Sequence, residues 1–242
     1  MLVKGRAPKT GYSREAFGPS WADIDYNGCD TRNDMLRRDL VHIELKPRTR
    51  GCVVLEGVLV DPYSGEEIRF IKGESSDLIH IDHVVSLSNA WQTGMFQRGP
   101  EERRIFSNDP LNLLAVVGAL NQQKGDGDAA TWLPPLKSYR CEFVARQIAV
   151  KAAYRLWLTP PEKQAMLRIL RTCPEQPLPY SATPSTNRQR MRATGPASER
   201  SCSSTLPARN ARISSAERPR SRSPRVRGSS SQTSVRKMLS AD

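Results

Sequence analysis

The chain has 242 residues, with 37 Lys and Arg against 25 Asp and Glu, a formal charge of +12, and 38% hydrophobic residues. The basic excess points to a polyanionic partner. The modest apolar content leaves room for one core and a disordered remainder. No apolar run reaches the roughly 18 to 20 residues a membrane helix needs: Glu56 and Gly57 interrupt Val53 to Val60, and Gly118 interrupts Leu113 to Leu120, so a membrane partner is excluded. The opening MLVKGRAPKTGYSREAFG is basic but lacks the apolar stretch of a secretory signal. The cytoplasm is therefore the expected location.

Charge divides the chain unevenly. Residues 180–242 hold 13 Lys and Arg and three acids, leaving residues 1–179 near neutrality at +2. The basic segment is rich in Ser, Arg and Pro, as in ERPRSRSPRVRGSSSQTS, with no helical or strand period. It reads as a disordered tail. Pro174, Pro177 and Pro179 mark the boundary. The organisation expected is a flexible N-terminus over 1–11, a folded domain over 12–174, and a Pro linker with the tail over 175–242. Cys29, Cys52, Cys141 and Cys173 lie in the body and Cys202 in the tail, with no C-x-x-C pair. They read as buried thiols. Cys29, His42 and Cys52 fit no zinc spacing, and the even body count keeps export with two disulfides open.

In chain order, CVVLEGVLV (52–60) and EEIRFI (66–71) flank the turn DPYSG, which predicts a β-hairpin. DLIHIDHVV reads as a strand through about Val85, SLSNAWQTG as a short helix ended by Gly94, NLLAVV as a further strand and GALNQQKGD as a helix. SYRCEFVARQIAVKAAYRLWL predicts a helix with Val144, Ile148 and Ala152 on one stripe and Arg140, Arg146, Lys151 and Arg155 largely elsewhere. The last helix, TPPEKQAMLRILRTC, opens with Thr159 as N-cap, Pro160 at N1 and Glu162 at N3, a capping-box spacing. Trp21, Trp91, Trp132 and Trp157 read as core residues.

Two of three histidines fall in HIDH (80–83). Along a strand, His80 and Asp82 face one way and His83 the other, which disfavours a two-histidine metal pair. Downstream, Asn112 precedes a strand, and Asn121 and Lys124 sit three apart on one helix face. Asp126 and Asp128 read as solvated loop residues.

The set Asp82, His83, Asn112 and Asn121, with the two asparagines nine positions apart, resembles the ββα metal finger of HNH (His-Me finger) nucleases. The wider text is similar to the HNH family related to the C-terminal domain of GmrSD-type restriction endonucleases, through GCDTRNDMLRRDL (28–40), DPYSG (61–65), IDHVVSLSNAWQTG (81–94), NDPLNLLAVVGALNQQKGD (108–126) and ATWLPP (130–135). The resemblance implies an α+β fold with a ββα-metal core, an N-terminal β-hairpin and C-terminal helices. It implies His83 as general base, oriented by Asn112, and Asp82 and Asn121 as ligands of one divalent ion, Mg²⁺ or Mn²⁺, suited to hard oxygen donors. Lys124 would contact phosphate, and Arg140 and Arg146 are candidates for the DNA groove. The products implied are 5′-phosphate and 3′-hydroxyl ends.

The expected activity is metal-dependent endonucleolytic hydrolysis of DNA, double-stranded by preference. The final motif position is Asn121 rather than histidine, and no Gly-rich phosphate loop is present, so the nucleotide-hydrolysing half of the restriction enzymes has no counterpart here. The rival readings are a non-catalytic nucleic-acid-binding protein acting through the tail, and an RNA-cleaving toxin on the same finger.

Overall fold

A computed structural model of the chain describes residues 1–179. The expectations for the tail lie outside these residues. The described part is mixed helix and sheet, with a three-stranded and a two-stranded antiparallel sheet. No helix among the described residues is long and apolar enough to cross a membrane.

Helix α1 (Thr31–Asp39) follows a loop in which Asp23 and Asp25 accept the Asn27 backbone N–H and Asp23 also that of Gly28. Asp30 caps the helix by accepting the Asn33 N–H at 2.9 Å. Strand β1 (Leu40–Leu45) runs directly from it and pairs antiparallel with β2 (Val54–Val60), with a bulge where His42 takes φ 52°. Neither α1 nor β1 is foreseen from the sequence. The helix presents mostly charged side chains with Thr31, Met35 and Leu36 inward, and the bulge breaks the alternation of the strand.

The predicted hairpin forms as β2 and β3 (Glu67–Ile71), with Val60 opposite Glu67 and Glu56 opposite Ile71. Its turn is built by Asp61: the carboxylate accepts the Ser64 N–H and hydroxyl at 2.7 Å, and Gly65, at φ 82°, donates to the Asp61 carbonyl. The other Asp61 carboxylate oxygen accepts the Val117 N–H at 3.0 Å, tying the turn to the second sheet.

That sheet is β4 (Ile79–His83) paired with β5 (Leu113–Val117), His83 opposite Leu113 and Ile79 opposite Val117. Between them lie α2 (Leu87–Gln92), capped by Ser86, and α3 (Pro100–Asn108), which has Pro at its start and Glu101 and Glu102 in its first turn. Helix α4 (Gly118–Lys124) leaves the end of β5 and packs on both strands. Gly118 permits that sharp entry: a Cβ there would lie 2.9 Å from both the Asp77 carbonyl and the His80 ring.

Helices α5 (Arg140–Ala153) and α6 (Pro160–Leu170) close the described chain, and the Thr159–Glu162 capping box forms as predicted. Val144 and Ile148 pack with Val84, Leu114, Phe143, Ala165 and Met166 in the principal core. Lys151 departs from expectation: it is buried, with its ammonium 2.6 Å from Glu162. The helix pair leaves no solvated face at that position.

Two further expectations are corrected. Residues 1–11 are tied down: Val3 bridges Leu158, Ala7 donates to the Gln92 carbonyl, and Arg6 pairs with buried Asp128 at 2.7 Å. The body cysteines are disulfides, Cys29–Cys52 and Cys141–Cys173, which removes Cys29 and Cys52 as zinc ligands. The first joins the segments entering α1 and β2; the second staples the start of α5 to the end of α6. Closing loops of 23 and 32 residues stabilises the fold by about 3–4 kcal/mol each on the chain-entropy account.

Candidate active site

Strand β4 carries His80 and Asp82 toward α4 and His83 toward the N-terminal segment. On the α4 side, Asp82 is 4% exposed and both its oxygens are engaged. Oδ2 accepts the Tyr63 hydroxyl at 2.5 Å, and Oδ1 accepts the Lys124 ammonium at 2.8 Å. Tyr63 comes from the hairpin turn and is packed against Trp132 and Phe143. Burial, then the neighbouring Asp82, holds its hydroxyl well above the ordinary tyrosine range. The phenol therefore stays a neutral donor.

Lys124 does not reach outward to a phosphate. Its side chain is fully buried, and Nζ donates to the His83 carbonyl at 2.9 Å as well as to Asp82. From the last turn of α4 the short path runs into the sheet, where an uncompensated Asp82 would be costly. Asn121, one turn earlier, places Nδ2 3.3 Å from His80 Nδ1, leaving its amide oxygen without a hydrogen bond among the described residues.

On the other face, His83 Nε2 donates to the Ser107 carbonyl at 2.8 Å, which fixes the tautomer and leaves the lone pair on Nδ1. Trp21 stacks on the ring, with centroids 6.5 Å apart and planes 13° from parallel. Trp21 is half-buried, packing against the core of α1 and the two sheets while also facing the site. Burial pushes the imidazole down to about 4, against the raising effects of Ser107 and Asp82 and with smaller lowering effects of Lys124 and Arg14.

Asn112 does not hold the ring. Its Oδ1 accepts the Val85 N–H at 2.8 Å and its Nδ2 donates to the Val85 carbonyl at 3.2 Å, while its own carbonyl accepts the Val84 N–H. It locks the backbone just past His83 and so acts on the ring indirectly. The loop before Asn112 is set by Asp109, which accepts the Leu111 N–H at 2.8 Å and the Tyr154 hydroxyl at 2.7 Å.

A cavity of about 220 Å³ is lined by Asp82, His83, Asn121 and Asp126, together with Tyr12 and Arg14. Asp126, outside the sequence-predicted site, reaches it while paired with Lys9 at 2.9 Å. Asp128, by contrast, is buried against Arg6 and shapes the following turn through the Ala130 N–H. Arg140 donates to the Pro134 carbonyl at 2.7 Å and Arg146 lies 3.9 Å from Glu142 on α5. Neither lines the His83 cavity. Among the described residues no three His, Cys, Asp or Glu side chains gather as a metal site. The oxygen donors lining the cavity are the Asp82 carboxylate, the Asn121 amide and the Asp126 carboxylate, the last already paired with Lys9. Tyr63, Ser107, Trp21, Arg14 and Asp126 carry no local sequence signal, because each reaches the site through tertiary packing.

Comparison with known proteins places the chain in a family. Residues 30–169 match the family described as GmrSD restriction endonucleases, C-terminal domain. The chain belongs to that family. As a GmrSD C-terminal domain it points to nuclease chemistry on nucleic acid, and Asp82, His83, Asn112, Asn121 and Lys124 all lie within the matched span. The chain is also 38% identical over 175 residues to an uncharacterized secreted protein of Arthroderma benhamiae, covering 72% of this chain and 81% of that one. That similarity and the two disulfides overturn the cytoplasmic expectation, since such bridges persist in oxidising compartments.

Proposed function

We propose that the protein is a secreted, metal-dependent DNA endonuclease of the HNH type, with His83 as general base on the ββα unit formed by β4, β5 and α4. The observation that carries this reading is the state of His83. The ring is held by Ser107 through Nε2 and stacked on Trp21, it presents an unprotonated Nδ1, and it shares a cavity with the oxygen donors Asp82 and Asn121. Burial keeps the imidazole neutral at physiological pH, the form able to accept a proton.

The donor set suits Mg²⁺ or Mn²⁺. Each oxygen of the Asp82 carboxylate keeps a lone pair beyond its present hydrogen bond, and Mg²⁺ usually retains several waters with one or two protein carboxylates. Bound there, the ion would supply neutralisation of the charge that grows on the phosphoryl oxygens and the leaving 3′ oxygen. Lys124 shares the same carboxylate and holds it in place from below. His83 Nδ1 takes the proton of the water that adds to phosphorus. The P–O3′ bond breaks, the 3′ oxygen gains a proton from solvent, and the ends are 5′-phosphate and 3′-hydroxyl. Asn112, through the Val84–Val85 backbone, keeps the strand end from shifting as the ring is charged.

The test is product analysis on supercoiled plasmid, linear duplex, single-stranded DNA and RNA side by side. Cleavage of DNA with Mg²⁺ or Mn²⁺, stopped by EDTA and leaving ends that a ligase can rejoin without added kinase, is the expected outcome. Cleavage undiminished in EDTA would contradict it, and cleavage of RNA alone would replace the substrate.

A further inference from the structure

We infer that Arg14, in the segment preceding the family-matched region, is the residue that grips the scissile phosphate, the role the family resemblance implies for Lys124. The inference rests on the nuclease reading and concerns its substrate contact. Arg14 is the one Arg or Lys side chain lining the His83 cavity among the described residues, and it also borders a smaller cavity formed with Trp21, His83 and Ser107. It is exposed and has no ion pair within 4 Å among the described residues. Lys124, in contrast, is fully buried and committed to Asp82 and the His83 carbonyl.

The position of Arg14 is built. It opens a short 3-10 turn, Glu15–Phe17, in which the Phe17 N–H donates to the Arg14 carbonyl. Phe17 is buried among Tyr12, Trp91 and Phe106. Arg103 Nε donates to the Ala16 carbonyl at 2.7 Å, and the Ser107 hydroxyl donates to the Phe17 carbonyl at 3.0 Å. Ser107 therefore holds His83 by its carbonyl and the Arg14 segment by its hydroxyl, so base and guanidinium share one anchor. A planar guanidinium presents paired donors that match two non-bridging phosphate oxygens. Beside an acidic floor of Asp82 and Asp126, whose own cations Lys124 and Lys9 are already paired with them, the guanidinium at the rim also orients the polyanion toward His83.

The experiment compares full-length wild type, Arg14→Ala, Arg14→Lys and, as a remote control, Arg168→Ala on α6, using one fluorescein-labelled 20-base-pair duplex. Arg14→Ala should lower kcat/KM about 10²-fold, the scale of removing one preorganised donor, with Arg14→Lys regaining part of it and Arg168→Ala matching wild type. Binding of the same duplex is measured in a His83→Ala background. There Arg14→Ala should reduce the slope of log Kd against log salt by about 0.9, one phosphate contact. Unchanged kcat/KM and slope in Arg14→Ala, or an equal loss in Arg168→Ala, would overturn the inference. If wild type cuts no nucleic acid the nuclease reading fails by itself, and the salt slope still decides whether Arg14 holds a phosphate.

Discussion

Two buried lysines among the described residues meet carboxylates, and their surroundings give them different consequences. Lys151 and Glu162 are enclosed between α5 and α6, with the capping box of Thr159 around them. Burial lowers the Lys151 ammonium and raises the Glu162 carboxyl from their ordinary values, which marks charge held at a cost. Lys124 and Asp82 are equally dry, yet Asp82 borders the cavity that also holds His83 and Asn121. The same chemistry serves as an internal fastening in one place and as the floor of a site in the other. Burial of a pair alone therefore does not reveal function; access to a shared cavity does.

The enclosed pair gives the largest stability effect. Lys151→Met leaves Glu162 buried and uncompensated and should cost about 3–5 kcal/mol in urea unfolding, whereas Lys151→Met with Glu162→Leu should recover most of it. Full loss persisting in the double variant would show that the pair is net stabilising. Removing the α5–α6 staple by Cys141→Ser with Cys173→Ser should cost about 3–4 kcal/mol, and full reduction of wild type should cost more because the Cys29–Cys52 bridge opens as well.

The pair at the cavity should respond to a cation. In Lys124→Met the freed Asp82 becomes a stronger divalent ligand, so Mg²⁺ at a hundredfold over its Kd should raise stability by about 2.7 kcal/mol. Lys151→Met should show no such rescue. A Mg²⁺ response of the same size in both variants would erase the distinction.

A further effect concerns pH. With His83 pushed down to about 4 in the folded chain and near 6.5 unfolded, the unfolded state binds more protons between these values. Stability should therefore rise with pH through that window, with a slope from this group of at most about 1.4 kcal/mol per pH unit. His83→Gln should flatten it. An unchanged slope in that variant would assign the titration elsewhere.

Much of the middle of the chain is legible without coordinates. The DPYSG turn, the apolar runs of β2 to β5 and the Thr159 cap each encode local geometry, and the structure forms them. Helices α1 and α3 escape because tertiary contacts order them: Arg38 of α1 reaches the Pro110 and Leu113 carbonyls at 2.7 Å, and Ser107 of α3 meets the distant Phe17 carbonyl. Pro100 followed by Glu101 and Glu102 was the one available signal for α3. At the site, the family resemblance singles out His83, Asp82 and Asn121, which line one cavity, whereas Asn112 contacts the Val85 backbone rather than the ring and Lys124 contacts Asp82 and the His83 carbonyl. Whether a lysine turns into a sheet or out to solvent depends on what lies beneath it, and Tyr63 and Asp82 supply that from other elements.

The central claim is that neutral His83, held by Ser107 and Trp21, is the base for phosphodiester hydrolysis. The most direct measurement is the Mg²⁺-dependent cleavage rate of plasmid DNA by wild type and by His83→Ala, with the fold of each verified by near-ultraviolet circular dichroism. The account predicts that wild type nicks or linearises the plasmid and that folded His83→Ala loses cleavage. Equal rates in the two proteins would contradict it.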